Sequence, residues 1–303
     1  LGVDLTPRKT CTFDCVFCQL GRTTHKTVQR QAYVPTAAVI AELTQWLHAG
    51  GTADYITLAG SGEPTLHADF GAIIQFLRAA TTIPVALLTN GSLLGDPAVR
   101  AAAAQANVVK ASLSAWDQPS FASINRPHAA LTCAAVVEGL RQFRTAFSGT
   151  LWLEVFIVWG MNSIPMDVQA IARLAQTVHP DLVQLNTAVR PPAEEFVQAL
   201  PRARLEELAV LFDPPAGVIA EFSTTSTAAM HANENTMLAL LTRRPCTADH
   251  LAAVFGMHRN EVAKYLGKLL RTRRIRAEHT AKQLYYLATI PPAEPAHAIP
   301  PHH

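Results

Sequence analysis

Nowhere does the 303-residue sequence approach the roughly 18–20 consecutive apolar residues that a membrane-spanning helix needs. No secretory leader opens it either. Neither sign of charge dominates, because 25 Lys and Arg face 23 Asp and Glu, so bulk charge selects no partner. Cysteine is scarce. Five residues, an odd number in a large chain, argue against a disulfide framework and suit a reducing cytosol. Neither a Ser–His–Asp arrangement nor a phosphate-binding glycine loop is apparent. The expectation is a cytoplasmic protein with no membrane partner. Leu1 stands where Met would and runs directly into the apolar "LGVDLT", so further residues are expected upstream.

Against that scarcity, "CTFDCVFC" places Cys11, Cys15 and Cys18 within eight positions. The other two cysteines read as structural. Cys133 lies in the apolar helical stretch "LTCAAVVEGL", and Cys246 follows Pro245 at a helix start.

Residues 1–222 alternate short β-branched runs with longer amphipathic stretches. Strands are expected at 2–6, 55–60, 84–89, 107–114, 151–158 and 181–187. Helical periodicity falls near 35–48, 68–79, 96–105, 129–146, 164–177 and 203–212, as in Val39, Ile40, Leu43 and Leu47. Such alternation means parallel strands with crossover helices, an α/β class. Six units are too few for a closed eightfold barrel and suit a partial (β/α)6 TIM-type barrel with chemistry at the carboxyl ends of its strands.

Beyond it the pattern changes. Residues 223–233, beginning "STTSTAA", read as a polar linker. Residues 234–289 read as three helices and two short strands, a small winged helix-turn-helix domain. Residues 290–303, rich in Pro, Ala and His, read as a disordered tail.

Three thiolates at C-x3-C-x2-C spacing on one loop can face a single centre, and soft sulfur selects zinc or iron–sulfur. Three ligands leave a fourth position open, and at a [4Fe–4S] cluster that position is an iron able to take a small molecule. The rival is a closed zinc site with His25 as fourth ligand. A third reading is three uninvolved surface thiols.

Cys11, Cys15, the aromatic Phe17 and Cys18 match the C-x3-C-x-aromatic-C signature of the radical S-adenosylmethionine (SAM) superfamily. The stretch "VDLTPRKTCTFDCVFCQLGRTTHKT" resembles the branch with the wyosine-type tRNA synthetases and bacterial Fe–S oxidoreductases. "SGEPTL", "LTNGSLL", "INRP" and "VQLNTAVRPPAE" extend the resemblance over most of residues 1–195. It implies a partial (β/α)6 barrel and one [4Fe–4S] cluster on Cys11, Cys15 and Cys18. It also implies SAM on the open iron, cleaved reductively to a 5′-deoxyadenosyl radical that abstracts a substrate hydrogen. An electron donor such as flavodoxin or ferredoxin is implied as partner.

The SAM site is expected at the strand tops. Gly60, Ser61, Gly62 and Glu63 resemble the family's Gly-Gly-Glu motif, where the glycines would admit the ligand and Glu63 would accept from its amino group. Thr89 and Asn90 end the third strand; Ser112 and Ser114 end the fourth, on one face with Lys110. Asn162, Gln184 and Asn186 are further candidates for the cofactor or the substrate. Ser112 and Ser114 could equally be strand-end caps. His25, Lys26, Arg126, His128 and Arg190 lie in loops at the open mouth and could hold an anionic substrate or be solvated.

Ten of the chain's 25 Lys and Arg fall between residues 243 and 282: Arg243, Arg244, Arg259, Lys264, Lys268, Arg271, Arg273, Arg274, Arg276 and Lys282. Three acids accompany them. This is the footprint of a nucleic-acid surface, with Arg259, Asn260 and Lys264 on a recognition helix and Arg271, Arg273 and Arg274 at its end. Three functions are carried forward. One is a radical SAM enzyme modifying nucleic acid such as tRNA. Another is such an enzyme acting on a protein, peptide or small molecule, with the winged helix docking a protein. The last is a cluster-based redox-sensing regulator.

Overall fold

The computed structural model describes residues 1–219, 234–243, 245–255, 257–279 and 283–289. The expected linker, the expected tail, Arg244 and Lys282 lie outside the described residues. The chain divides after Phe222 into two compact units.

The first unit is built on seven parallel strands: β1 (Gly2–Asp4), β2 (Ile56–Ala59), β3 (Val85–Leu88), β4 (Val108–Ser112), β5 (Thr150–Ile157), β6 (Leu182–Thr187) and β7 (Gly217–Val218). Each pairs in parallel with the next, giving an open sheet in sequence order. Helices α1 (Thr36–His48), α2 (Phe70–Ala80), α3 (Pro97–Ala103), α4 (Gln118–Ile124), α5 (Cys133–Ala146), α6 (Pro165–Val178) and α7 (Arg202–Ala209) connect them. The six expected strands and six expected helices are all present. Strand β7 and helix α4 are additions: two residues carry no alternation, and seven carry barely two turns of periodicity.

The strand sequences set the two faces of the sheet. Along β5, Leu151, Leu153, Val155 and Ile157 are fully buried and belong to the large core with the helices. Burying each contributes roughly 1.5–3 kcal/mol. Trp152, Glu154 and Phe156 alternate onto the other, half-buried face. Lys110 and Ser112 share that face on β4, as do Gln184 and Asn186 on β6. The inner face of the partial barrel is therefore polar where the outer one is aliphatic.

Local capping fixes where helices start. Asp96 accepts from the backbone N–H groups of Ala98 and Val99, with Pro97 at the first helical position. Asp117 and Ser120 form a capping box that starts α4, also with proline in the first turn.

The second unit contains α8 (Glu234–Arg243), α9 (Ala248–Phe255), α10 (Arg259–Arg271) and the antiparallel pair β8 (Ile275–His279) and β9 (Leu284–Ala288). Met237, Leu241, Leu251, Phe255, Val262, Leu266, Leu269 and Ile275 form its own core. Cys246 is buried there and exchanges backbone hydrogen bonds with Tyr286. Among the described residues, no helix is long and apolar enough to cross a membrane.

Candidate active site at the carboxyl edge of the sheet

The cysteine loop follows β1. A short parallel pairing of Thr10–Cys11 with His25–Lys26 closes its base. The "INRP" segment clamps its far side: the Asp14 N–H donates to the carbonyls of Asn125 and Arg126, Val16 to Ile124, and His128 to Thr12. Phe13 packs edge-on against Phe121, with ring centroids 5.2 Å apart. Phe17 stacks on Phe156 of β5 at 4.0 Å. Thus the motif aromatic anchors the loop to the inner face.

All three sulfurs face donors. Asn90 Nδ2 lies 3.6 Å from Cys11 Sγ, the Phe13 N–H 3.5 Å from the same sulfur, Asn125 Nδ2 3.4 Å from Cys15 Sγ and Lys9 Nζ 3.3 Å from Cys18 Sγ. Burial, reinforced by the Glu63 carboxylate, pushes the Cys11 thiol up to about 12. Burial and then the two neighbouring cysteines push Cys15 up as well. Burial thus favours the protonated form at Cys11 and Cys15, and a metal bound there must displace their protons.

Three sulfurs on one loop, aimed at N–H donors, fit an iron–sulfur cluster, whose thiolates take such hydrogen bonds. Among the described residues, no three His, Cys, Asp or Glu side chains are grouped tightly enough to hold a single metal ion. A closed zinc site would draw them together with bonds of about 2.0–2.3 Å. His25 is exposed and pairs with Thr10.

The turn after β2 meets this loop from below. A Cβ at Gly62 would fall 1.7 Å from the Thr10 carbonyl oxygen, and one at Gly60 would fall 2.3 Å from Asp4 Oδ1. The close approach expected for a ligand is thus made by the chain itself, and these glycines seat the turn against the cysteine loop. Ser61 is tied down likewise, with its Oγ donating to Asp4 Oδ2 at 2.6 Å. Glu63 is 1% exposed. Its Oε1 accepts from the Thr65 N–H, the Thr65 hydroxyl and the Thr89 hydroxyl, and its Oε2 from the Asn90 N–H. Burial pushes its carboxyl up, and the four donors pull it back only in part. Glu63 therefore braces β2 to β3.

Thr89 and Asn90 stand together with Glu63 and Cys11. Asn90 Nδ2 also donates to Thr12 Oγ1 at 2.8 Å. Ser114 and Asn162 pair with each other instead. Asn162 is fully buried, with Nδ2 donating to the carbonyls of Ser114 and Phe156 and Oδ1 accepting from Val158. Ser114 Oγ accepts from Phe156 N–H. Both side chains bond within the wall between β4 and β5, which for Ser114 is the strand-end capping alternative. Ser112 is half-buried, in register with Glu154. Asn186 Nδ2 donates to Glu154 Oε1 at 3.0 Å, and Lys110 Nζ pairs with the same oxygen at 2.8 Å. Gln184 flanks Glu154 in register. Sequence reasoning missed Glu154, Lys9 and Asn125, because polar residues inside a strand or turn carry no spacing signal.

Beside the loop opens a cleft of ≈ 450 Å³ lined by Asp14, Arg22, Lys26, Gln118, Arg126 and His128 among others. Arg22 bonds to Asp14, and Arg22 and Arg126 both pair with Glu194. Glu194 in turn bonds its N–H to the Val16 carbonyl. Burial would raise the Asp14 carboxyl, but Arg22 and the Thr23 N–H hold it below the usual range. Arg190 does not line this cleft; it donates to Gln19, the residue after Cys18.

Residues 5–175 match the family model for the radical SAM superfamily. The chain is 34% identical over 194 residues to the UPF0026 protein slr1464 of Synechocystis, covering 63% of this chain and 71% of that protein. It is 32% identical over 294 residues to a protein named GTPase Obg from Brachyspira hyodysenteriae, covering 96% of this chain but 43% of that protein. With UPF0026 protein MJ1312 of Methanocaldococcus jannaschii it shares 30% over 200 residues, 65% of this chain and 62% of that one. The chain thus spans less than two thirds of these last two relatives. In fold it resembles Streptococcus suis SuiB bound to S-adenosylmethionine (TM-score 0.56, 13% identity, 74% of this chain and 51% of that one). It also resembles a radical SAM methyltransferase from Sphaerobacter thermophilus (TM-score 0.51, 17% identity, 74% and 67%). The cysteine loop, the strand-top turns bound to it and the family match agree: this chain belongs to the radical SAM superfamily, whose members use a [4Fe–4S] cluster and SAM.

Proposed function

We propose that the protein is a radical SAM enzyme acting on an anionic substrate, with nucleic acid such as tRNA the reading the chain supports best. The observation that carries it is the cleft beside the cysteine loop, where Arg22, Lys26, Arg126 and His128 meet. Its volume lies within the usual range for ligand pockets, about 300–1,000 Å³. Lys26 is exposed, and among the described residues its ammonium has one partner, the Arg126 carbonyl at 3.2 Å. His128 Nδ1 accepts from the Ala130 N–H, so a neutral ring carries its proton on Nε2, free to donate.

Cys11, Cys15 and Cys18 would hold the cluster, which with SAM supplies reductive sulfonium cleavage and a 5′-deoxyadenosyl radical. Asn90 and Asn125 would hold the sulfurs through N–H donors. Glu63, through Thr89 and Asn90, would fix the floor on which SAM rests. Ser112, Gln184 and Asn186 would offer polar contacts along the inner face, with Lys110 and Glu154 between them. A low-potential donor such as flavodoxin or ferredoxin would deliver the electron.

The second unit would present the nucleic acid in the manner of a winged helix, through Lys264, Arg271 and Arg273. One observation favours a second reading, docking of a protein. Arg259 pairs with Asp249, Lys268 and Arg274 with Glu234, and Arg276 with Glu278, which spends four of the cations within the unit. The discriminating experiment incubates anaerobically reconstituted protein with SAM, dithionite and either total RNA or a protein extract, then reads both by mass spectrometry. SAM-dependent mass changes confined to RNA support the nucleic-acid reading. Changes confined to protein support the second.

A further inference from the structure

Lys9 is 5% exposed. Lysine is almost never buried to this degree unless an anion pairs with it. Among the described residues, however, its ammonium forms none of the carboxylate ion pairs. Asp14, the carboxylate that feels its charge, is already taken by Arg22 and the Thr23 N–H. What Lys9 Nζ does meet is Cys18 Sγ, at 3.3 Å.

The backbone is arranged to put it there. Lys9 has φ +64, a left-handed conformation that costs a non-glycine residue of order 1–3 kcal/mol and persists only where the surroundings impose it. They do so from both sides. The Lys9 N–H donates to the Ser61 carbonyl in the turn below β2's end, and its carbonyl accepts from the His25 N–H at 3.1 Å. Lys9 is buried in a left-handed conformation with its ammonium on Cys18 Sγ; it has no carboxylate partner among the described residues, and the loaded loop would supply the anion. Three thiolates outweigh the charge of an oxidised cubane core, and each added electron makes the assembly more negative.

We propose that Lys9 is the built-in counter-ion of the cluster, a tuning residue whose charge beside Cys18 raises the potential at which the electron from a low-potential donor enters. Cluster potentials respond to local charge, hydrogen bonding and exposure, and Lys9 supplies the first two from a buried position. The electron passes from donor to cluster, the donor is oxidised and no bond is made or broken. The inference rests on the cluster assignment made above.

The test is an anaerobic redox titration of the reconstituted full-length protein, followed by electron paramagnetic resonance. Iron and the reduced-cluster signal are measured first in the unaltered protein; their absence there sinks the cluster assignment, not the role of Lys9. Lys9→Met, of similar length and uncharged, is expected to disfavour reduction at least tenfold, a midpoint about 59 mV more negative for one electron. Lys9→Arg is expected to recover most of that shift. A Lys9→Met protein with full iron content and an unchanged midpoint overturns the proposal. If Lys9→Met fails to load iron while Lys9→Arg loads it at the native midpoint, charge is still the requirement. If neither variant loads iron, Lys9 serves shape alone and the proposal fails.

Discussion

Glu63 Oε2 accepts the Asn90 backbone N–H at 2.7 Å, and the side chain of the same Asn90 points its Nδ2 at Cys11 Sγ. The carboxylate that ends one strand turn thus positions a donor to a cysteine sulfur from the next. Glu63→Gln keeps the volume but sets an amide N–H₂ against one of four inward donors. It should cost about 1–3 kcal/mol in chemical denaturation and slow 5′-deoxyadenosine formation. Unfolding and SAM cleavage both matching the unaltered protein would show that the brace carries neither role.

Gly62 allows a second prediction on stability alone. Gly62→Ala pushes a methyl into the Thr10 carbonyl, which is backbone and has no flexible end to swing away. The expected loss is about 3 kcal/mol or more, at the severe end for single substitutions, with lowered iron content because the cysteine loop is displaced. A denaturation midpoint within error of the native one would mean that the turn is free to move.

Much of this architecture is legible in the sequence. The alternation in "LWLEVFIV" sets β5 and its two faces, and the cysteine spacing places the loop directly. Other parts were not legible, for physical reasons. Gly60 and Gly62 signal a close approach but not its partner, which proved to be Asp4 and Thr10. Asn162 and Ser114 look the same in sequence whether they face a cofactor or cap a neighbouring strand; only tertiary contacts separate the two. Glu194, far along the chain in "RPPAEE", returns to the cysteine loop through Arg22 and Arg126, a closure that no local pattern announces.

The cleft beside the loop predicts a charge effect on substrate use. Lys26→Glu reverses an exposed charge on the cleft wall while leaving the backbone pairing of Lys26 with Cys11 in place. The apparent affinity for substrate RNA should fall about tenfold, while uncoupled SAM cleavage stays within a factor of two. Each tenfold corresponds to about 1.4 kcal/mol. Undiminished RNA affinity would remove the cleft from the binding path.

The second unit predicts a salt dependence. If the cations that form no ion pair among the described residues hold phosphates, log affinity falls with log salt by about 0.9 per phosphate on a duplex and about 0.7 on a single strand. Replacing Lys264, Arg271 and Arg273 together by Ala in the full chain should flatten the slope by about 2–3. Arg274 is a poorer choice, since it is paired with Glu234. An unchanged slope, or no RNA binding at 50 mM salt, would favour protein docking.

The central claim is that Cys11, Cys15 and Cys18 hold a [4Fe–4S] cluster that cleaves SAM. Its most direct measurement is 5′-deoxyadenosine release under dithionite from anaerobically reconstituted protein, paired with iron and zinc analysis, for the native chain and each Cys→Ala variant. The native protein is expected to hold about four irons per chain and to form product with SAM, and all three variants to lose product, with Cys133→Ala unaffected. Stoichiometric zinc without iron in the native protein, or product formation that survives loss of Cys11, Cys15 or Cys18, would contradict it.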